Sequence, residues 1–303
     1  MATASSKNIL IVGGSGYLGM GLCRHLRSRF RVYATYRTHP FQMDGVISMR
    51  MNLGDFDQAR KLVNLSKPDV IIFAGGKGDL PEQLSSDDQR TLEAMETGGT
   101  ATLLNVSQIY QPRFIYLSTS RVFDGGRGNY RETDTIIAHD DVGKAKAAAE
   151  NIVRGKSVSW NIVRMSELIG RGNGHRPSLL DRIRWNLPAG RRIELDHSTL
   201  HGFATTHSFQ GFIEKLIESG PRNKILHFGG GTKVTAYELG RAIASKFGMN
   251  ADRITPKSAL TGPRQEIQDL SLNCSAMVDS LKLKPLLLEE SLDLIEKDLI
   301  PHP

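Results

Sequence analysis

Several groups of residues in this chain have types and spacings that could do chemistry. Gly13-Gly14-Ser15-Gly16-Tyr17-Leu18-Gly19 is a glycine-rich turn, and glycines at such intervals let backbone N–H groups close on a phosphate. Ser118, Thr119 and Ser120 place hydroxyls at the end of an apolar run, where a carbonyl could be polarised or where they simply cap a turn. Lys144, Lys146 and Glu150 run along an alanine-rich stretch, with His139, Asp140 and Asp141 just ahead of it. Further on, Arg171, Arg182, Arg184, Arg191 and Arg192 face a single acid, Asp181. Such a cluster either clamps an anionic group or forms a solvated basic face.

The elements that must position these groups follow from periodicity. Asn8 to Val12 is a short apolar strand, and Leu18, Leu22 and Leu26 recur on one face of the helix behind the glycines. Strand, glycine turn and helix together turn the motif into a nucleotide or dinucleotide site. Gly13 provides the tight exit, Gly16 the close approach to a pyrophosphate and Gly19 the close helix–sheet contact. Phe30 to Tyr36 is a second strand that ends at Arg37-Thr38 with no acid nearby. An arginine there suits the 2′-phosphate of NADP, whereas NAD calls for a carboxylate. Gly45 to Met51 is a third strand leading into Asn52-Leu53, followed by a helix capped at Asp55. Pro68 to Gly76 is a buried strand whose small residues Ala74-Gly75-Gly76 would let a cofactor pass. Leu80 to Ser86 reads as a polar loop, and Leu92 to Tyr110 as a long helix interrupted by Gly98-Gly99. A strand over 113–117, a helix over about 140–154 and a strand over 158–164 complete the alternation.

This order predicts an α/β fold with a doubly wound parallel sheet and a smaller C-terminal α/β lobe. The expected division is a dinucleotide-binding domain over 1–165 and a substrate lobe over 166–303, interleaved with the last strands of the sheet. The lobe contains a strand over 225–228, the Gly229-Gly230-Gly231 turn and a helix opening at Thr235. Its last helix carries Leu286, Leu287, Leu292 and Leu299, either as core or as an oligomer contact, which leaves a homodimer open.

Composition narrows the partners. A net charge of +7 favours anionic ligands, but without a long basic run or an aromatic-basic motif, so nucleic acid is not expected. No apolar stretch is long enough to span a bilayer and no secretory leader is evident. With two cysteines, Cys23 and Cys274, a disulfide framework is not expected, and a reducing cytoplasm is the expected compartment. No metal site is expected.

On these residues the chain resembles the extended short-chain dehydrogenases/reductases, and within them the dTDP-4-dehydrorhamnose reductase branch. The spacing of Gly13, Gly16 and Gly19 is that of the extended family. The stretch from Ser118 to Gly125 is similar to the branch's serine–threonine–aspartate–tyrosine–valine–phenylalanine–aspartate–glycine segment. Glu132-Thr133-Asp134 matches the acidic turn after it, and Gly143 to Glu150 the start of the active-site helix. The Gly229 turn, the helix over 235–247 and Pro263-Arg264 also have counterparts. The resemblance implies a Rossmann fold and hydride transfer between NAD(P)H and a keto group on a nucleotide-linked sugar. It also implies a tyrosine and a lysine four residues apart, the lysine on the nicotinamide ribose and the tyrosine as proton donor, beside an orienting hydroxyl. Thr119 matches the hydroxyl and Lys146 the lysine.

Three positions depart from that pattern. Val142 stands at the tyrosine position, Glu96 replaces an asparagine and Asn52 replaces an aspartate near the adenine. Valine donates no proton. His139, one helical turn before Val142, and Tyr130 in the preceding loop are the substitutes to consider, with water as a third source. Two expectations follow. One is an NADP(H)-dependent oxidoreductase or epimerase-like protein acting on a nucleotide sugar or related anionic carbonyl compound with a non-standard proton donor. The other is a catalytically silent NADP-binding regulator or sensor, a use to which this branch is put in the regulatory subunit of methionine adenosyltransferase.

Overall fold

A computed structural model describes residues 7–76, 84–175, 177–257 and 267–299. The polar stretch at Leu80–Gln83, Arg176 and Pro263-Arg264 lie outside the described residues.

The sheet is built on short strands, of which β1 and β4 are almost wholly apolar and buried. Strands β1 (Asn8–Val12), β2 (Arg31–Tyr36), β3 (Val46–Arg50), β4 (Val70–Phe73), β5 (Arg113–Thr119), β6 (Trp160–Met165) and β7 (Lys224–Phe228) form one seven-stranded sheet. Its order is β7-β6-β5-β4-β1-β2-β3. The β1–β2, β1–β4, β2–β3 and β4–β5 pairs are parallel. Successive strands move outward from β1 first to one side and then to the other, as in a doubly wound Rossmann fold. The point of reversal, between β1 and β4, is where such sheets bind ligands. The strand that begins at Arg113 runs two residues further than its apolar run suggests and takes in Ser118 and Thr119.

Helical segments connect strands from β1 to β6. Helix α1 (Tyr17–Leu26) buries Leu22, Cys23 and Leu26. Helix α2 (Phe56–Ser66) is capped by Asp55, whose side chain accepts from the Gln58 N–H, and buries Ala59, Leu62 and Val63. The long helix expected over 92–110 is realised as α3 (Ser86–Glu93), a π-turn (Ala94–Gly98) and α4 (Gly99–Ser107). Single π-turns inside helices are often found at functional sites. Helix α5 (Asp141–Lys156) is capped by Asp140.

The chain divides into two compact units. Unit 1 comprises residues 1–122, 136–164 and 213–226, and unit 2 comprises 123–135, 165–212 and 227–303. Leu10, Val12, Ile71, Phe73, Phe114, Tyr116 and Val153 belong to the core of unit 1. In unit 2 a separate apolar core gathers Leu180, Ile183, Ile193, Leu195, Leu239, Ile243, Leu292 and Ile295. Three two-stranded parallel pairs, Leu168–Ile169 with Ala204–Thr205, Ile193–Asp196 with Ile254–Lys257 and Thr199–Leu200 with Gln268–Asp269, accompany it. Capping boxes at Ser178/Asp181 and Thr235/Glu238 start its helices α6 (Leu179–Asn186) and Ala236–Lys246. The segment 123–135 joins unit 2 because Tyr130 exchanges backbone bonds with Ser271 and Asn273. Among the described residues no helix is long and apolar enough to cross a membrane, and no cluster of His, Cys, Asp and Glu has metal-site geometry.

Candidate functional site

At the carboxyl end of β1 the glycine turn takes the shape its spacing predicts. Gly13 has φ +86°, and a Cβ there would lie 2.9 Å from the Ala74 carbonyl oxygen. A Cβ on Gly19 would come within 2.1 Å of the Gly13 carbonyl oxygen, so only glycine lets α1 start this close to the loop. The Gly13 N–H donates to Thr35 Oγ1 at 3.0 Å, tying the turn to β2. Gly16 is the N-cap of α1 and makes no side-chain capping bond, and the first turn carries no acid. Ser15, Gly16, Tyr17 and Leu18 are half-buried around this helix N-terminus, which is suited to an anion by its N–H groups and dipole.

Beside it, the ends of β2 and β3 form an open recess of about 410 Å³ lined by Arg37, Arg50, Met51, Asn52 and Gln58. Arg37 follows Tyr36, and Tyr36 is the register partner of Arg50, so two guanidinium groups flank one recess. Arg37 is legible in the sequence as the residue that follows β2, whereas Arg50 is not. The signal was available only in the β2–β3 register, which sequence spacing does not reveal. Asn52 is held by its neighbours: its N–H donates to Gln58 Oε1 at 3.0 Å. Thr38 is exposed and Leu53 half-buried. Leu53 lies against α4, where a Cβ on Gly99 would come within 2.9 Å of its own Cβ.

Across β1, the ends of β4 and β5 receive Lys146 from α5. Its Nζ donates to the Leu117 carbonyl oxygen at 3.0 Å and sits 4.9 Å above the Tyr116 ring. It also pairs with Glu96 Oε1 at 3.0 Å. Glu96 belongs to the π-turn and is fully buried, and its Oε2 accepts from the Tyr116 hydroxyl at 2.6 Å. Burial first, and then the charge of Glu96, push the Tyr116 phenol well above the usual tyrosine range. Gly76 faces the pair: a Cβ there would lie 2.7 Å from Glu96 Oε1 and 3.5 Å from Lys146 Nζ. The partner of Glu96 could not be read from the sequence, because 96 and 146 meet only through the sheet edge.

The hydroxyls at the end of β5 have different surroundings. Ser118 is buried and donates to Glu150 Oε1 at 2.5 Å. Glu150 is in turn bound by Arg164 through Nε at 3.1 and 3.2 Å and through Nη2 at 2.8 Å, with both side chains 2% exposed. Ser118 therefore anchors the strand end. Thr119 is half-buried, and its Oγ1 accepts from the Arg121 N–H at 3.3 Å.

Helix α5 is docked by its first turn. Asp140 Oδ1 accepts from the Gly143 N–H at 2.8 Å, while its Oδ2 pairs with Arg121 Nε at 2.9 Å. A Cβ on Gly143 would lie 2.1 Å from the Arg121 carbonyl oxygen. Val142 is 5% exposed and packs with Leu92, Ala145 and Leu84. The helical turn expected to bring His139 onto the face of Val142 does not form. Asp140 takes the cap with its strong preference for that position, so His139 precedes the helix and is exposed. In unit 2, Tyr130 is 4% exposed, stacks on Phe123 at 4.3 Å and donates its hydroxyl to Asp124. Burial, followed by that bond, raises its pKa, which makes it a weaker acid. Burial also pushes the Cys23 and Cys274 thiols up to about 12, so neither is a thiolate nucleophile.

Residues 7–293 match the RmlD substrate binding domain family. The chain belongs to that family. The resemblance to the dTDP-4-dehydrorhamnose reductase branch of the extended short-chain dehydrogenases/reductases is thereby borne out. The chain is 22% identical over 284 residues to methionine adenosyltransferase 2 subunit beta of Rattus norvegicus, covering 90% of this chain and 82% of that one. It is 27% identical over 179 residues to dTDP-4-dehydrorhamnose reductase of Aggregatibacter actinomycetemcomitans, 57% of this chain and about half (55%) of the reductase. The structure of dTDP-4-dehydrorhamnose reductase from Bacillus anthracis in complex with NADP superposes with a TM-score of 0.80 at 18% identity. That match covers 98% of this chain and all (100%) of the other, and it establishes the shared fold of the RmlD family member described here.

Proposed function

We propose that this RmlD family member binds NADP(H) in unit 1 and acts as a ligand-responsive binding protein rather than as a fast reductase. The observation that carries the reading is Val142, buried among Leu92, Ala145 and Leu84 at the position that would hold the proton-donating tyrosine. Loss of a general acid typically costs on the order of a hundred- to ten-thousand-fold in rate. Neither His139, ahead of the helix cap, nor Tyr130, with its raised pKa, makes up for that loss.

The residues present fit the cofactor. Glycine at 13 and 19 lets the turn pack against the end of β4 and lets α1 start directly beside it, so that Gly13, Ser15, Gly16, Tyr17, Leu18 and Gly19 would receive a pyrophosphate. Arg37 and Arg50 would hold a 2′-phosphate, with Thr38, Asn52 and Leu53 along the adenosine. Ala74, Gly75 and Gly76 would admit the nicotinamide half, and Lys146 would hold its ribose. The chemistry that NADPH brings to such a site is hydride donation. The relative named as a methionine adenosyltransferase subunit supports a role through binding.

Two measurements test this. Fluorescence titration is expected to show tight NADPH binding, and NADPH oxidation with a panel of keto-sugar nucleotides is expected to show no fast turnover. Turnover at the rate of an ordinary reductase would sink the proposal. Arg37→Ala and Arg50→Ala are each expected to lower the NADPH/NADH affinity ratio about ten-fold or more, as loss of a charged hydrogen bond requires. An unchanged ratio would remove these arginines from the 2′-phosphate site.

A second reading is a slow reductase acting on a nucleotide-linked carbonyl compound, with Thr119 orienting the oxygen and water supplying the proton. It is favoured by the half-buried Thr119 hydroxyl at the end of β5. Residual turnover abolished by Thr119→Ala would support it.

A further inference from the structure

We propose that Glu96 makes this site discriminate between the two redox states of its nicotinamide ligand, favouring the oxidised, positively charged form. The proposal rests on the reading that the chain binds NADP(H), and deepens it.

Sheet order places the two halves of the ligand. A dinucleotide whose adenosine end lies in the recess between Arg37 and Arg50 crosses β1 at the reversal point. Its other half then reaches the carboxyl ends of β4 and β5, where Gly76, Lys146 and Glu96 meet. One π-turn serves both ends: Met95 Sδ lies 3.7 Å from Arg37 Nη1, and the next residue, Glu96, pairs with Lys146.

Charge decides what such a site prefers. Oxidised nicotinamide is a cation and reduced nicotinamide is neutral, so the two ligands differ by one charge at the ring. Lys146 alone would repel the oxidised ring. Glu96, 3.0 Å from Lys146 Nζ, cancels that ammonium. Because Glu96 is fully buried and Lys146 only 12% exposed, solvent screens the pair poorly. Glu150 and Arg164 pair with each other, as do Asp140 and Arg121, so neither pair adds a net charge.

The carboxylate is also held in place. Tyr116 donates to Oε2 at 2.6 Å, and Oε1 occupies the space that a Cβ at Gly76 would need. An uncharged amide at 96 would keep the hydrogen-bonding shape but leave Lys146 unbalanced. With Val142 in place of an acid, the bound ligand is not rapidly converted, so occupancy follows the ratio of oxidised to reduced cofactor.

The test is calorimetric titration of the full chain with NADP⁺ and with NADPH. Wild type is expected to bind NADP⁺ at least as tightly as NADPH. Glu96→Gln is expected to shift the preference toward NADPH on the order of ten-fold, the size of one poorly screened charge at such range. Tyr116→Phe, which keeps the carboxylate, is expected to leave the ratio within about three-fold of wild type. Lys146→Met, which keeps Glu96 and removes the cation, is expected to move the ratio the other way even if both affinities fall. If Glu96→Gln does not fold, Lys146→Met decides. Binding of both ligands with an unchanged ratio in these variants overturns this proposal alone. Binding of neither ligand by wild type overturns the cofactor reading as well.

Discussion

Replacing Glu150 by alanine is expected to lower the unfolding free energy by about 3–5 kcal/mol, the usual cost of breaking a buried ion pair from one side. The variant would leave the Arg164 guanidinium 2% exposed without its carboxylate and the Ser118 hydroxyl without its acceptor. Because Ser118 and Arg164 lie on neighbouring strands β5 and β6, the damage falls on the strand end that carries Thr119. Urea denaturation at neutral pH, read by circular dichroism, measures the loss. A double variant, Glu150→Leu with Arg164→Met, is expected to recover much of it, since an apolar replacement leaves no unpaired charge behind. A loss below about 1 kcal/mol for Glu150→Ala would mean that the pair behaves as a solvated surface bridge.

Gly19→Ala is expected to abolish NADPH binding, with an affinity loss of about a hundred-fold or more in the folded fraction. Its Cβ would sit 2.1 Å from the Gly13 carbonyl oxygen and 2.8 Å from the Gly14 Cα. These are backbone atoms that no side-chain rotation can move, so α1 must shift off the loop. Overpacking of this kind costs about 1–3 kcal/mol in itself, and it displaces the N–H groups that would face the pyrophosphate. Gly16→Ala is the comparison. Its φ is −73° and its nearest contact would be the Gly13 carbonyl oxygen at 3.1 Å. The fold should therefore tolerate it better than Gly19→Ala, which thermal unfolding of both variants would show. Wild-type NADPH affinity in Gly19→Ala would mean that the turn is structural and the ligand lies elsewhere.

The local pattern determined a great deal about this protein. Continuous apolar runs marked the strands, and glycines at 13, 16 and 19 marked the turn at the end of β1. Asp55 and Thr235 marked helix starts, because caps and turns depend on a few adjacent residues. The expectation that Val142 stands where a proton-donating tyrosine would be comes from the family resemblance and not from the local pattern. Tertiary structure decided what sequence-distant residues do to one another. Arg50 joins Arg37 only through the β2–β3 register. Glu96 reaches Lys146 only because a π-turn and α5 converge on the ends of β4 and β5. Ser118, which reads like Thr119 in the sequence, is drawn into the Glu150–Arg164 pair, while His139 is left outside its helix by the cap at Asp140. Backbone conformation is set by neighbours along the chain, whereas the charge balance of a site is set by neighbours across the sheet. For that reason the cradle could be read from the sequence, but the clamp on Lys146 could not.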